Sequence, residues 1–190
     1  MVNIIFCGVG GQGVILASKV VMSAAMNEGL DVKESEVHGM AQRGGSVECN
    51  VRFGEKIHSP LIRKADADFV VAFEMLEGMR KVEFLKSDGY LFVNSLKIDP
   101  VPVVLGNMQY PADIPEWLSK NVKNFAIVET ASILKELGNL RVLNIVMLGA
   151  VSSRMKFSQE SWEKAIIENV KPEFVDLNLR AFNAGRNITS

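Results

Sequence analysis

Val2-Asn3-Ile4-Ile5-Phe6-Cys7-Gly8-Val9-Gly10-Gly11-Gln12-Gly13-Val14-Ile15-Leu16 is the stretch whose reading decides the fold. Val2 to Cys7 is a short apolar run that stops at glycines, the pattern of a buried strand. Gly11 to Glu28 follows as a helix with two charges, Lys19 and Glu28, and Gly29 stands where a C-terminal cap belongs. So few polar positions predict a helix covered on most of its surface, by the sheet and by a partner. Gly8, Gly10 and Gly13 satisfy G-x-G-x-x-G directly after a strand and at the opening of a helix, the context a dinucleotide fingerprint requires. Gly8, Gly10, Gly11, Gln12 and Gly13 are therefore candidate cofactor-binding residues: such a turn lets backbone N–H groups approach an anion at the positive end of a helix. Glu34 or Glu36, about 20 residues on, would reach a ribose hydroxyl in that scheme. The plainer reading is that these glycines serve only the close packing of strand, turn and helix. Gln12 places a neutral amide where a phosphate loop often has a basic group.

Beyond the helix, Asp31 to Val37 is a second strand candidate and Ser46 to Phe53 an alternating, half-buried one, with a turn at Gly54-Glu55-Lys56. Between them, His38 to Gly45 has three glycines and no apolar periodicity, so it reads as a loop. Together the two clusters hold seven of the 15 glycines. The second offers donors and acceptors at close backbone approach, and Arg43 can meet a phosphate or a carboxylate bidentately. His38, Gly39, Met40, Gln42, Arg43, Gly44 and Gly45 are candidates for a ligand-facing loop, since sites concentrate on loops carried by rigid scaffolds.

Further on the chain alternates. Asp68 to Phe73 predicts a strand, Leu76 to Leu85 a helix, Tyr90 to Asn94 a strand and Val103 to Leu105 another short one, with Pro100, Pro102, Pro111 and Pro115 marking a surface excursion. Ile114 to Asn121 predicts a helix, Phe125 to Val128 a strand and Thr130 to Leu137 a helix. The last third is helical: Val142 to Met155, a helix capped by Ser158, and Glu173 to Ala184 after Pro172. Strands alternating with helices indicate an α/β layer fold. The expectation is one domain over residues 1–190, a three-layer α/β/α Rossmann-like fold with a mixed, mostly parallel sheet.

Twenty-one Lys and Arg against 22 Asp and Glu leave a net charge of -1, which argues against nucleic acid as a partner. The most apolar stretch, Val14 to Met26, is interrupted by Ser18, Lys19 and Ser23 and falls short of the roughly 20 residues of a membrane span. Met1-Val2-Asn3 lacks the basic region of a signal peptide, so a cytoplasmic location is expected. Two cysteines cannot build a disulfide framework or supply the four thiolates of an iron–sulfur cluster. His38, His58, Cys7 and Cys49 show no zinc-like spacing, so no metal site is expected. Cys49 on an alternating strand reads as a small buried side chain, His58 before Ser59-Pro60 as a turn residue, and Met75 and Met79 as core.

The sequence resembles the small (beta or gamma) subunit of 2-oxoacid:ferredoxin oxidoreductases, and within them the beta subunit of the indolepyruvate type. Four stretches carry the resemblance: Gly8 to Val14, Ser35 to Val47, Ser59-Pro60-Leu61-Ile62, and Ala72-Phe73-Glu74 with the helix after it. The specific part is His38-Gly39-Met40-Ala41-Gln42-Arg43-Gly44-Gly45. The resemblance implies a complex that oxidatively decarboxylates an aryl 2-oxoacid to an acyl-CoA and passes electrons to ferredoxin. Thiamine diphosphate and the iron–sulfur clusters would belong to a larger partner subunit, coenzyme A would lie on or near it, and this chain would contribute no catalytic residue. A homodimer is expected when the chain is isolated. A free-standing NAD(P)- or flavin-dependent Rossmann oxidoreductase is the competing class.

Overall fold

A computed structural model describes residues 1–38 and 44–188, His38 by its backbone alone. The opening strand β1 (Val2–Val9) leads through the glycine turn into helix α1 (Val14–Asn27). Helix α1 ends as its sequence predicts. Gly29 takes a positive φ of 77°, its N–H donates to Met26 O, and Leu30 N–H donates to Ala25 O. Strands β2 (Asp31–His38) and β3 (Ser46–Gly54) follow, then β4 (Ala67–Ala72) and helix α2 (Met75–Lys81). A 3-10 turn over Val82–Phe84 ends that helix. Strand β5 (Leu85–Asn94) then begins five residues earlier than the alternation at Tyr90 suggested.

The segment Val103 to Leu105, expected as a strand, is instead part of a single helical turn, α3 (Val101–Val104). Pro100 fixes φ at the turn's start and Pro102 offers no N–H to a ladder, so three apolar residues there cannot be a strand of the sheet. Helix α4 (Ile114–Asn121), strand β6 (Phe125–Val128) and helix α5 (Ala131–Leu137) complete the alternation. Three further helices close the chain: α6 (Leu143–Ser152), α7 (Gln159–Asn169) and α8 (Val175–Arg186), the last preceded by a 3-10 turn at Pro172–Phe174.

The described strands form one six-stranded sheet in the order β2-β3-β1-β4-β5-β6. The pairings β1–β4, β4–β5 and β5–β6 are parallel, and β2–β3 and β3–β1 antiparallel. The mixed, mostly parallel sheet is as expected. Ile4, Phe6, Val71 and Phe92 face α1, α6, α7 and α8 on one side. Ile5, Cys7, Val70 and Leu91 face α2 and α4 on the other.

Every residue of α6 is buried. That follows from its lack of charge, and its cover comes from within the chain. Helix α8 crosses so closely that a Cβ on Gly149 would lie 2.1 Å from Phe182 O, and one on Gly185 would lie 2.0 Å from Val146 O. Helix α1 is likewise covered internally, by α7: Asn169 Nδ2 donates to Ser23 Oγ at 2.8 Å. Helix α7 of the same chain thus supplies part of the cover that the low polarity of α1 calls for.

Candidate functional site at the carboxyl edge of the sheet

β1 lies between an antiparallel neighbour, β3, and a parallel one, β4. Its carboxyl end is where the chain turns toward α1 while the next parallel strand departs toward α2. Open α/β sheets place ligand crevices at such divergences. The antiparallel register sets Gly8 opposite Val47 and Val9 opposite Ser46. One residue on, Gly10 N–H donates to Gly45 O at 2.8 Å. The two glycine clusters therefore meet through Gly10 and Gly45, which stand 35 positions apart in sequence.

Gln12 occupies the other side of the turn. In the parallel β1–β4 ladder Phe73 N–H donates to Cys7 O at 2.8 Å, and the next rung would run from Val9 N–H to Phe73 O. The Gln12 amide is inserted into that rung. Its Oε1 accepts from Val9 N–H at 2.7 Å and its Nε2 donates to Phe73 O at 2.9 Å. A side-chain amide has the donor and acceptor of a peptide group, so it bridges the strands as they separate. The line of hydrogen bonds continues across the edge: Asn94 Nδ2 donates to Phe73 O at 3.1 Å, and Thr130 Oγ1 donates to Asn94 Oδ1 at 2.8 Å. Gln12 thus has a structural role that its neutral amide left open in sequence.

Helix α1 starts on Gly13, which has a positive φ of 79° and makes no side-chain cap, and its first turn has no acidic residue. The first N–H groups of the helix are therefore free of side-chain capping and favour an anion. Asn144 of α6 reaches the same turn. It is 1% exposed, its Nδ2 donates to Gly13 O at 3.2 Å, and its Oδ1 is buried without a partner among the described residues. Gly11 is exposed at the tip of the turn.

Two buried carboxyl groups, which sequence reasoning did not single out as site residues, brace the opposite wall. Glu74, 1% exposed, caps α2: its Oε2 accepts from Glu77 N–H at 2.9 Å. Its Oε1 accepts from Tyr110 Oη at 2.6 Å and from Ile98 N–H at 3.2 Å. Glu77, 4% exposed, accepts from Ser46 Oγ and from Arg80, each at 2.6 Å. Glu77 thereby ties the start of β3 to α2, and Glu74 ties down both ends of the proline-bounded excursion. Burial first, and then the hydrogen bond to Glu74, raise the Tyr110 hydroxyl above its ordinary value. Beside Gly44 and Gly45 lies a groove of about 480 Å³, lined also by Ser46, by Leu76 and Arg80 of α2, and by Pro100. The available signal was one acidic residue directly after an apolar strand, where a cap belongs, and a second three positions on.

Not every candidate residue is described. Gly8, Gly10, Gly11, Gln12, Gly13, Gly44 and Gly45 converge as above. Gly39, Met40, Gln42 and Arg43 lie outside the described residues, as does the His38 side chain. Glu34 does not reach the glycine turn in the manner of a ribose ligand. Strand β2 stands two places from β1, with antiparallel β3 between, and Glu34 Oε1 accepts from Ser18 Oγ at 2.5 Å. The dinucleotide scheme needs the acidic strand beside β1, so the fingerprint here lacks its second half.

The thiols are inert. Cys7 and Cys49 are buried; burial first, and then neighbouring acidic groups, push Cys7 well above its ordinary value, while burial raises Cys49 to about 12. They belong to opposite core faces of the sheet and cannot share a ligand. This donor set does not fit an iron–sulfur cluster. No group of three or more metal-ligating side chains occurs among the described residues. None of their helices is long and apolar enough to cross a membrane.

Residues 3–188 match the model of the pyruvate ferredoxin/flavodoxin oxidoreductase family. The chain belongs to that family. Among its relatives, the indolepyruvate oxidoreductase subunit IorB of Archaeoglobus fulgidus is 39% identical over 97% of this chain and 94% of its own length. The 2-oxoglutarate synthase subunit KorC of Methanothermobacter thermautotrophicus is 31% identical over 95% of this chain and 91% of its own. A solved structure, the gamma subunit of a keto/oxoacid ferredoxin oxidoreductase from Geobacter sulfurreducens, superposes with a TM-score of 0.72 at 26% identity, covering all of this chain and 98% of the other. The carboxyl edge is accordingly that of a family whose named members are oxidoreductase subunits. The free-standing Rossmann dehydrogenase has no support among these relatives.

Proposed function

We propose that this chain is the small, non-catalytic subunit of a 2-oxoacid:ferredoxin oxidoreductase of the indolepyruvate type. The observation that carries the reading is the near end-to-end likeness to the indolepyruvate subunit, at higher identity than to the 2-oxoglutarate one. In this reading the complex oxidatively decarboxylates an aryl 2-oxoacid, joins the acyl group to coenzyme A and delivers electrons to ferredoxin. The larger partner subunit supplies thiamine diphosphate and the iron–sulfur clusters, which suits a chain whose two thiols lie on opposite sides of a sheet. The cytoplasm is the compartment proposed for it, and a homodimer its state in isolation.

The part assigned to this chain is a wall of the coenzyme A or substrate approach. The joined glycine clusters and the uncapped start of α1 provide N–H donors suited to an anion, and His38, Gln42 and Arg43 belong to the same loop by sequence. The deciding experiment is co-expression with the large subunit and assay of indolepyruvate, phenylpyruvate and pyruvate with coenzyme A and a viologen acceptor. Activity is expected from the complex only, highest with the aryl acids. Turnover by this chain alone would overturn the reading. Within the active complex, Arg43→Ala is expected to raise the KM for coenzyme A while leaving that for the 2-oxoacid near wild type. An unchanged KM for coenzyme A removes the loop from that role.

A further inference from the structure

A cleft of about 780 Å³ opens at the other end of the sheet, where the parallel strands begin. The eight residues of β1 separate it from the glycine turns by roughly 23 Å, at about 3.3 Å per residue. Its volume is in the range of small-molecule sites, about 300–1,000 Å³. Aromatic side chains line part of it: Phe53, Phe69, Tyr90 and Phe157. Phe157 stacks at 5.1 Å from Phe53 and at 5.4 Å from the buried Trp162, so that wall is continuous with the core.

The charges around the cleft are unevenly committed. Asp68 accepts from Lys86 Nζ at 2.6 Å and from Asn3 N–H at 2.7 Å. Glu28 accepts from Ser158 N–H at 2.7 Å and from Ser158 Oγ at 2.8 Å. Glu55 and Asp88 are exposed to solvent. The guanidinium of Arg154 lies over the Tyr90 ring, 4.4 Å from its centre, and neither it nor Lys156 has a carboxylate partner among the described residues. A guanidinium over an aromatic ring, with no carboxylate partner, has N–H donors left for an anion. Rings beside a fixed cation suit a flat apolar body bearing one negative group.

We propose that this cleft is a binding site for an aromatic carboxylate, its ring between the Tyr90 and Phe157 walls and its carboxylate on Arg154. The inference does not depend on the role given to the glycine turns. It is tested by calorimetric titration of indole-3-acetate, its uncharged amide and acetate, into the full chain and into the assembled complex. The acid is expected to bind both, with the amide and acetate each at least about tenfold weaker. Arg154→Gln, at an exposed position, is expected to weaken the acid about tenfold and leave the amide unchanged. Phe157→Leu should weaken the acid and the amide alike. Equal affinity of acid and amide, wild-type affinity for the acid in Arg154→Gln, or no saturable binding of the acid would each overturn the proposal. Binding by the free chain that disappears in the complex would also overturn it, and would make the cleft an interface with the large subunit.

Discussion

Replacing Gln12 tests whether its side chain is the inserted rung described above. In Gln12→Ala the Phe73 carbonyl keeps its bond from Asn94, but the Val9 N–H loses its acceptor. Leaving one such donor unpaired costs about 1–3 kcal/mol, and water reaching the half-exposed turn lowers that to about 1–2 kcal/mol. For a chain of this length each kcal/mol moves Tm by about 2–4 °C, so Gln12→Ala should melt about 2–8 °C below wild type. Gln12→Glu separates the two halves of the amide. It keeps the acceptor for Val9 N–H but faces the Phe73 carbonyl with a second oxygen, so at pH 7 it should be less stable than Gln12→Ala. Protonating the introduced carboxyl restores a donor, so its folded-state value is raised above the ordinary carboxylate range. That gives the sign: the deficit of Gln12→Glu is full above the raised value and shrinks as pH falls through it. Thermal melts of both variants between pH 4 and 8, set against wild type at each pH (about the range carboxyl groups reach when perturbed), make the check. A Gln12→Ala melt within about 1 °C of wild type, or a Gln12→Glu deficit independent of pH, would refute the inserted-rung reading.

Gly149→Ala places a methyl 2.1 Å from a backbone oxygen of α8, so the crossing of α6 and α8 must open; a loss of at least about 1–3 kcal/mol by urea unfolding is expected. Ser158→Ala removes the acceptor for Ser161 N–H at the start of α7 and a donor to Glu28. It should cost about 1 kcal/mol in the same assay. Ser158 N–H first, with the hydroxyls of Ser161 and Ser158, holds the Glu28 carboxyl below its ordinary value of 4.5. A lowered folded-state value means stability present above the unfolded value and lost as pH falls through the folded one. The gap in urea midpoint between wild type and Glu28→Gln should therefore stand at neutral pH and vanish in acid.

The strands and helices that follow period and caps were legible. β1, α1 with its Gly29 ending, the Ser158 cap and α4 stand where apolar spacing and terminal residues put them. Val103 to Leu105 went the other way because apolarity alone does not separate a strand from a turn of helix, and the flanking prolines outweighed it. The low polarity of α1 called for cover without naming α7, for a similar reason. A sequence shows that a helix is buried without showing which helix buries it. In the site, the glycines announce a close backbone approach, but their meeting at Gly10 and Gly45 depends on the pairing of β1 with β3, a contact no local pattern encodes. Glu74 and Glu77 read as ordinary helix-start acids until Ile98, Tyr110 and Ser46 arrive from distant segments.

The order of the strands explains why a dinucleotide fingerprint here serves a different end. In the Rossmann arrangement the strand after the first helix returns parallel beside β1 and brings its acidic residue to the ribose. Here that strand runs to the sheet's edge, and β3 comes back as a hairpin partner into the vacant place. The ribose position is thereby exchanged for a second glycine turn, Gly44-Gly45, bonded directly to the first. What survives of the fingerprint is the part that does not depend on β2: a tight turn, a helix start without a side-chain cap, and backbone donors in reach of an anion. Those features fit one charged end of a ligand and not both halves of a dinucleotide. That fit to one anionic group is what supports the proposal that this chain positions a substrate or coenzyme for a redox centre on a partner subunit.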